Sequence, residues 1–221
     1  MDYEIQRKNM VESQVRPSDV TDRRIIRAML DLPREQFVPE RLKPLAYMDG
    51  AVPLISGAGH PRRSLLPPRT LAKLVQAAEI EPDATVLVIG AGTGYGAAVL
   101  AHLAQSVVAL ESDPELIGVA RDALMASGVT NATLIEGPLT EGQPAKGPYD
   151  AILIEGAVDD IRPELLDQLK DGGRLVAIVG DTTSGSATVW RRDGSAYGRA
   201  SVFDAGADVL PGFERVPAFA F

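Results

Sequence analysis

"VLVIGAGTGYGAAVL", Val86–Leu100, decides the fold: a four-residue apolar run, a glycine-rich loop and an alanine-rich helical stretch follow one another. Val86–Ile89 is a short apolar run, read as a strand. Gly90, Gly92 and Gly94 alternate in G-A-G-T-G, where glycine permits positive φ and lets backbone N–H groups approach a ligand closely. A ligand-free tight turn is the plainer reading of the same residues. In open α/β sheets ligands lie beyond the carboxyl ends of strands, so the loop after Ile89 is the natural site.

The same rhythm continues downstream. Strands are predicted at Val107–Leu110, Thr133–Ile135, Ala151–Ile154 and Arg174–Val179. Helices are predicted from the glycine loop to Leu103, from Pro114 with Asp113 as N-cap, and near Pro163–Leu169. Strand and helix alternating at this spacing imply a doubly wound, mostly parallel α/β sheet. Asp193-Gly194 between two strand-like runs signals an antiparallel C-terminal hairpin, and "FERVPAFAF" is a candidate final strand. Upstream, Ile25, Ile26, Met29 and Leu30 share a helical face that Pro33 ends, and Pro68 opens a helix carrying Leu71, Leu74 and Val75. The Pro- and Gly-rich stretch between them is too broken for regular structure. Residues 1–80 are therefore expected to form a helical extension with an acceptor-side loop, and residues 81–221 the α/β domain, together one compact unit.

Composition narrows the function. The net charge of −8 argues against a general nucleic-acid binder. Residues 1–75 are nonetheless net basic at +4, against −12 for the remainder, which is either two solvated faces or a mildly cationic wall for an anionic substrate. No apolar run approaches the roughly 18 residues that span a bilayer, and the start, Met1-Asp2-Tyr3-Glu4, lacks a secretory apolar segment. With no cysteine, thiolate nucleophiles and zinc–thiolate sites are excluded, and a cytoplasmic setting is expected. His60 and His102 make no metal constellation. His102 belongs to the helix after the glycine loop, whereas His60 is a candidate substrate contact.

The nicotinamide fingerprint G-x-G-x-x-G fails from Gly90, because Tyr95 stands at its third glycine, and from Gly92 it passes only in relaxed form, ending in Ala97. G-A-G-T-G instead resembles the S-adenosylmethionine loop of class I methyltransferases, with Gly90, Ala91, Gly92, Thr93 and Gly94 as cofactor-binding candidates. Glu111 ends the next strand, 21 residues after Gly90, where a carboxylate accepts hydrogen bonds from ribose hydroxyls. Glu136-Gly137-Pro138, after the third strand, is either a plain turn or the place where adenine is held.

Several stretches together resemble the protein-L-isoaspartate O-methyltransferase family. "MVESQVRPSDVTDRRIIRAM", "PREQFVP" and "AYMD" are similar to its N-terminal extension. "VLVIGAGTGYGAAVLAHL" is similar to its cofactor loop, and "GPYDAILIEGAV" and "LKDGGRLVAIVG" to its fourth and fifth strand regions. The resemblance spans roughly residues 10–180. It implies a class I methyltransferase fold, S-adenosylmethionine as cofactor, and isoaspartyl carboxylates of damaged proteins as methyl acceptors.

Two departures bear on the acceptor. The family's T-I-S-x-P loop, aligned on Pro68, places Leu66 at its serine and Ser64 at its threonine, leaving Ser64 as a weak catalytic candidate, and "GAGHPRRSLLPP" is about five residues longer. Its neutral Thr-Ala-Ala turn is replaced by Glu155-Gly156-Ala157. An acceptor carboxylate is already ionised at neutral pH (pKa about 4) and needs no general base, so alignment carries much of the catalysis. An ionised Glu155 facing it would be repulsive. His60, Leu66 and Glu155 are thus the substrate-side residues. A different acceptor on the same fold and a non-catalytic cofactor-binding protein are the alternative readings.

Overall fold

A computed structural model describes residues 2–55 and 62–214, and everything below concerns those residues. Helix α1, Tyr3–Met10, is capped by Asp2, whose carboxylate accepts from Glu4 N and Ile5 N, and it runs on into a wider helical turn, Val11–Val15. Helix α2, Arg23–Asp31, is capped by Asp22 and buries Ile25, Ile26 and Met29. Two short 3₁₀ segments follow, Arg34–Phe37 and Glu40–Leu45.

The stretch expected to lack regular structure contains a small hairpin. Strand β1, Val52–Ile55, pairs antiparallel with β2, Arg63–Leu65, in the register Val52↔Leu65 and Pro53↔Ser64. Prolines are tolerated in such a two-stranded arm because only one edge of each strand is hydrogen-bonded, and burial of Val52 and Leu65 holds it down. Helix α3 then starts at Pro68 and runs to Ala77.

The α/β part follows the expected order: β3 Thr85–Ile89, α4 Tyr95–Ala101, β4 Ser106–Glu111, α5 Pro114–Ala126 and β5 Ala132–Glu136. Next come β6 Tyr149–Val158, α6 Pro163–Leu166, β7 Leu169–Gly180, β8 Gly185–Asp193 and β9 Ala196–Asp204. They form one seven-stranded sheet in the order β5-β4-β3-β6-β7-β8-β9. Its first five strands are parallel, and β8 and β9 add antiparallel. Gly194, at φ 59°, makes the predicted β8–β9 turn. Asp113 caps α5 as expected, accepting from Glu115 N and Leu116 N at 2.9 and 3.1 Å.

Helix α6 ends earlier than the sequence suggests. Gln168 offers its carbonyl to Tyr149 N at 2.8 Å and its side chain to Gln143 N and Glu141 O, which draws Leu169 into the sheet. "FERVPAFAF" supplies no strand at Phe213 and Glu214, and residues 215–221 lie outside the described residues.

Alternation along the strands splits the core between the two faces of the sheet. Val86, Val88, Val107, Ala109, Ala151 and Leu153 pack with Met10, Val15, Ile25, Met29 and Phe37 of the N-terminal segment. Leu87, Ile89, Val108, Leu110, Ile152 and Ile154 face the other way, toward Leu165, Trp190 and Leu210. The N-terminal residues thus cover the face toward which Glu111 and Glu155 also point, by the same alternation.

Candidate cofactor and acceptor site

The site is built at the carboxyl ends of β4, β3 and β6. Ile89 pairs with Leu110 on one side and Ile154 on the other, so Gly90 is flanked by Glu111 and Glu155. At about 4.8 Å between neighbouring strands, the two glutamate backbones stand about 10 Å apart across Gly90. Gly90, Gly92 and Gly94 have φ of 75°, 56° and 90°, the left-handed region that the sequence reading required of them. Gly90 N and Ala91 N donate to Leu110 O, and Thr93 Oγ1 donates to Phe37 O, which ties the loop to the N-terminal segment.

Glu111 is fully buried (0 % exposed) and accepts Gly92 N at 2.8 Å, Ser112 N at 2.8 Å and Asp113 N at 3.1 Å. Arg63 of β2 completes its shell with two charge-assisted bonds, Nη1 to Oε1 at 2.8 Å and Nη2 to Oε2 at 2.6 Å. Arg63 Nη2 lies 3.6 Å from where a Cβ on Gly90 would stand, so the guanidinium rests over that glycine. Two apolar side chains close the loop further. Leu54 of β1 lies against Gly92, and Leu210 of the C-terminal loop lies against both Gly90 and Gly156.

Glu155 is 6 % exposed, and its Oε1 has no hydrogen-bond partner among the described residues. It leans on the start of α4 so closely that a Cβ on Gly96 would fall 1.8 Å from Oε1. Burial pushes its carboxyl up to about 8, a rise that Arg63 and Arg34 oppose and Glu111 reinforces. In this structure the side chain is therefore mostly the uncharged acid at neutral pH, the form that would not repel an acceptor carboxylate.

Arg63, Ser64, Leu66, Glu155, Gly156, Asp208 and Leu210 are among the residues lining a cavity of about 20 Å³, room for about one water. Ser64 Oγ donates to Asp208 Oδ2 at 2.7 Å. Leu66 is buried, and its carbonyl accepts Arg34 Nη2 at 2.7 Å. Arg34, itself fully buried, also donates Nε to Ala46 O at 2.7 Å and stacks 4.7 Å above the Tyr95 ring. Glu136 and Pro138 are exposed beside this group, while Gly137 N donates to the backbone carbonyl of Glu111 at 3.0 Å. His60 lies outside the described residues, and His102 bonds its own helix through Ala98 O.

The structure thus brings the glycine loop, Glu111, Gly137, Ser64, Leu66 and Glu155 to one end of the sheet. Sequence reasoning missed Arg63, Arg34, Asp208 and Leu210. The one signal for Arg63 was its place in "HPRRSLLPP", where the chain departs from the family pattern.

These residues fit S-adenosylmethionine in kind. A buried carboxylate anchored by backbone amides offers acceptors for a ribose diol, and three glycines without Cβ leave a surface for close approach. In this structure Arg63 occupies the outer side of Glu111, and Leu54 and Leu210 lie against Gly92 and Gly90.

Comparison with known proteins gives a concordant picture. A family model described as protein-L-isoaspartate(D-aspartate) O-methyltransferase matches residues 5–202. A protein-L-isoaspartate O-methyltransferase of Methanoculleus marisnigri is 41% identical over 175 residues, covering 79% of this chain and 77% of its own. One of Koribacter versatilis is 36% identical over 202 residues, covering 91% and 89%. A solved protein-L-isoaspartate O-methyltransferase superposes with a TM-score of 0.81 at 23% identity, over 93% of this chain and 66% of that one. A Plasmodium falciparum structure described as a complex of such a methyltransferase with S-adenosyl-L-homocysteine gives 0.76 at 16% identity, over 95% and 98%. Both structural likenesses speak to the fold.

Proposed function

We infer the function from one premise: the chain belongs to the protein-L-isoaspartate(D-aspartate) O-methyltransferase family. It is accordingly read as an S-adenosylmethionine-dependent O-methyltransferase that esterifies isoaspartyl carboxylates in damaged proteins. The observation that carries this reading is Glu111, buried at the end of β4 and oriented by Gly92, Ser112 and Asp113 amides beside the positive-φ glycine loop.

Gly90–Gly94 hold the methionine and ribose side of the cofactor, Glu111 the ribose hydroxyls, and Glu136–Pro138 the adenine. The cofactor supplies an electrophilic methyl group on a sulfonium. No residue has to remove a proton from the acceptor, because a carboxylate is its own nucleophile at neutral pH. The protein's contribution is orientation and exclusion of water. Ser64 is the acceptor-side hydroxyl, and it would have to turn its one proton away from Asp208 to donate to an acceptor carboxylate; Leu66 and, by its position in the sequence, His60 are further acceptor-side candidates. The test is incubation with methyl-labelled S-adenosylmethionine and an isoaspartyl peptide. Label released by mild alkali is expected; cofactor binding without such label would remove the isoaspartyl assignment.

Among the described residues no helix is long and apolar enough to cross a membrane. We read the N-terminal 80 residues as the cover of the acceptor side, since their apolar residues pack on the same sheet face as Glu111 and Glu155.

A further inference from the structure

Arg63 stands between two carboxylates and bonds only one of them. Glu111 and Glu155 flank Gly90 on the same face of the sheet, and Arg63 crosses above that glycine to reach Glu111. Glu155 and Arg63 line one small cavity, yet Glu155 Oε1 is left without a partner among the described residues. A buried carboxyl without a protein partner is costly and calls for an explanation.

Glu111 cannot serve Arg63 and a ribose diol at once. Three of the donors on its two oxygens are backbone amides fixed by the fold, Ser112 Oγ adds a long contact at 3.4 Å, and the guanidinium takes the outward directions. Arg63 is the movable partner, because it hangs from a two-stranded arm that pairs only with itself. Arg34, the other cation acting on Glu155, is not free to move: it is bonded to Ala46 O and Leu66 O and stacked on Tyr95.

We propose that Arg63 is exchanged between the two glutamates: it pairs with Glu111 in the ligand-free chain and passes to Glu155 when a ribose diol takes Glu111. This rests on the cofactor reading above. The exchange gives the displaced cation a buried counter-charge, so opening the site does not strand a guanidinium in the interior. It also makes cofactor binding proton-linked. Glu155 begins as the uncharged acid and ionises as Arg63 arrives, and its proton passes to the buffer. The groups facing Glu155 are Arg63 on β2, Arg34 and Glu111, with Ser64 and Asp208 across the cavity, and Arg63 alone among them changes place.

The test is calorimetric titration of S-adenosylhomocysteine into the full chain, in buffers of low and high ionisation enthalpy. With the Glu155 carboxyl at about 8, release of about 0.9 proton per ligand is expected at pH 7 and about 0.5 at pH 8. Glu155→Gln is expected to bind with no such release, which also separates it from any proton of the ligand's own amino group. Arg63→Met is expected to abolish release while associating faster, since Glu111 is already free. Wild-type binding without proton release, or unchanged release in Glu155→Gln, overturns the exchange. If a variant fails to fold, the wild type is titrated with adenosine, which carries the ribose diol and no α-amino group: release that declines through pH 8 supports the exchange, and binding without release overturns it. No binding of S-adenosylhomocysteine by the wild type overturns the cofactor reading itself, and the exchange with it.

Discussion

Replacing Glu155 with glutamine should change the pH dependence of stability in a defined direction. An ordinary glutamate carboxyl ionises at 4.5, whereas burial raises that of Glu155 to about 8. Between those values the unfolded chain has released a proton that the folded chain keeps, so the folded state loses stability as pH rises. The loss begins near 4.5 and is complete above 8. At 1.36 kcal/mol per pH unit, Glu155 costs about 1 kcal/mol at pH 5, about 3 at pH 7 and between 4 and 5 at pH 9. Glutamine has nearly the same shape and no ionisation, and its own burial cost does not vary with pH. Denaturant unfolding of both proteins should therefore give curves that diverge by about 4 kcal/mol from pH 5 to pH 9, with the variant gaining. In thermal scans that divergence is about 8–16 °C for a domain of this size. Parallel stability curves across that range would refute the assignment of Glu155 as a buried, partnerless acid.

Other perturbations test the remaining contacts. Glu111→Gln should weaken S-adenosylhomocysteine binding about tenfold to a hundredfold, the worth of hydrogen bonds to a charged acceptor; equal affinity in calorimetry would place the ribose elsewhere. Arg34→Met should cost about 2–5 kcal/mol in denaturant unfolding, because Ala46 O and Leu66 O each lose a buried donor; a loss below about 0.5 kcal/mol would show these bonds to be dispensable. Gly96→Ala should be destabilising because its Cβ meets Glu155 Oε1 at 1.8 Å, and Glu155→Ala should relieve it. A coupling of about 1–3 kcal/mol in that double-mutant cycle is expected, and simple additivity would contradict the contact.

How much of this was legible depends on how local the signal is. The glycine loop, its strand and Glu111 lie within residues 85–111, and each is specified by its own neighbours: mostly β-branched residues for β3, positive φ at Gly90, Gly92 and Gly94, and a strand-end acid. The Asp113 cap and the Asp193-Gly194 turn are equally local. The β1–β2 hairpin is hidden because its Pro and Gly content reads as loop, and its stability comes from Val52 and Leu65 settling on a distant core. The Arg63–Glu111 pair joins residues 48 positions apart, across a fold that the alternation pattern does not fix in three dimensions. Glu155 was visible as a departure from the family pattern. Its protonation was not, because that follows from burial by α4 and the N-terminal cover.

The most direct measurement pairs two peptides identical except that one contains aspartate and the other isoaspartate, mixed in equal amount with the full chain and S-adenosylmethionine. Mass spectrometry of the products reads which carboxyl carries the methyl group. A methyl ester on the isoaspartyl carboxylate alone, lost in mild alkali, is the predicted result. Equal labelling of both peptides, alkali-stable label on another group, or no transfer while the cofactor binds would contradict the account.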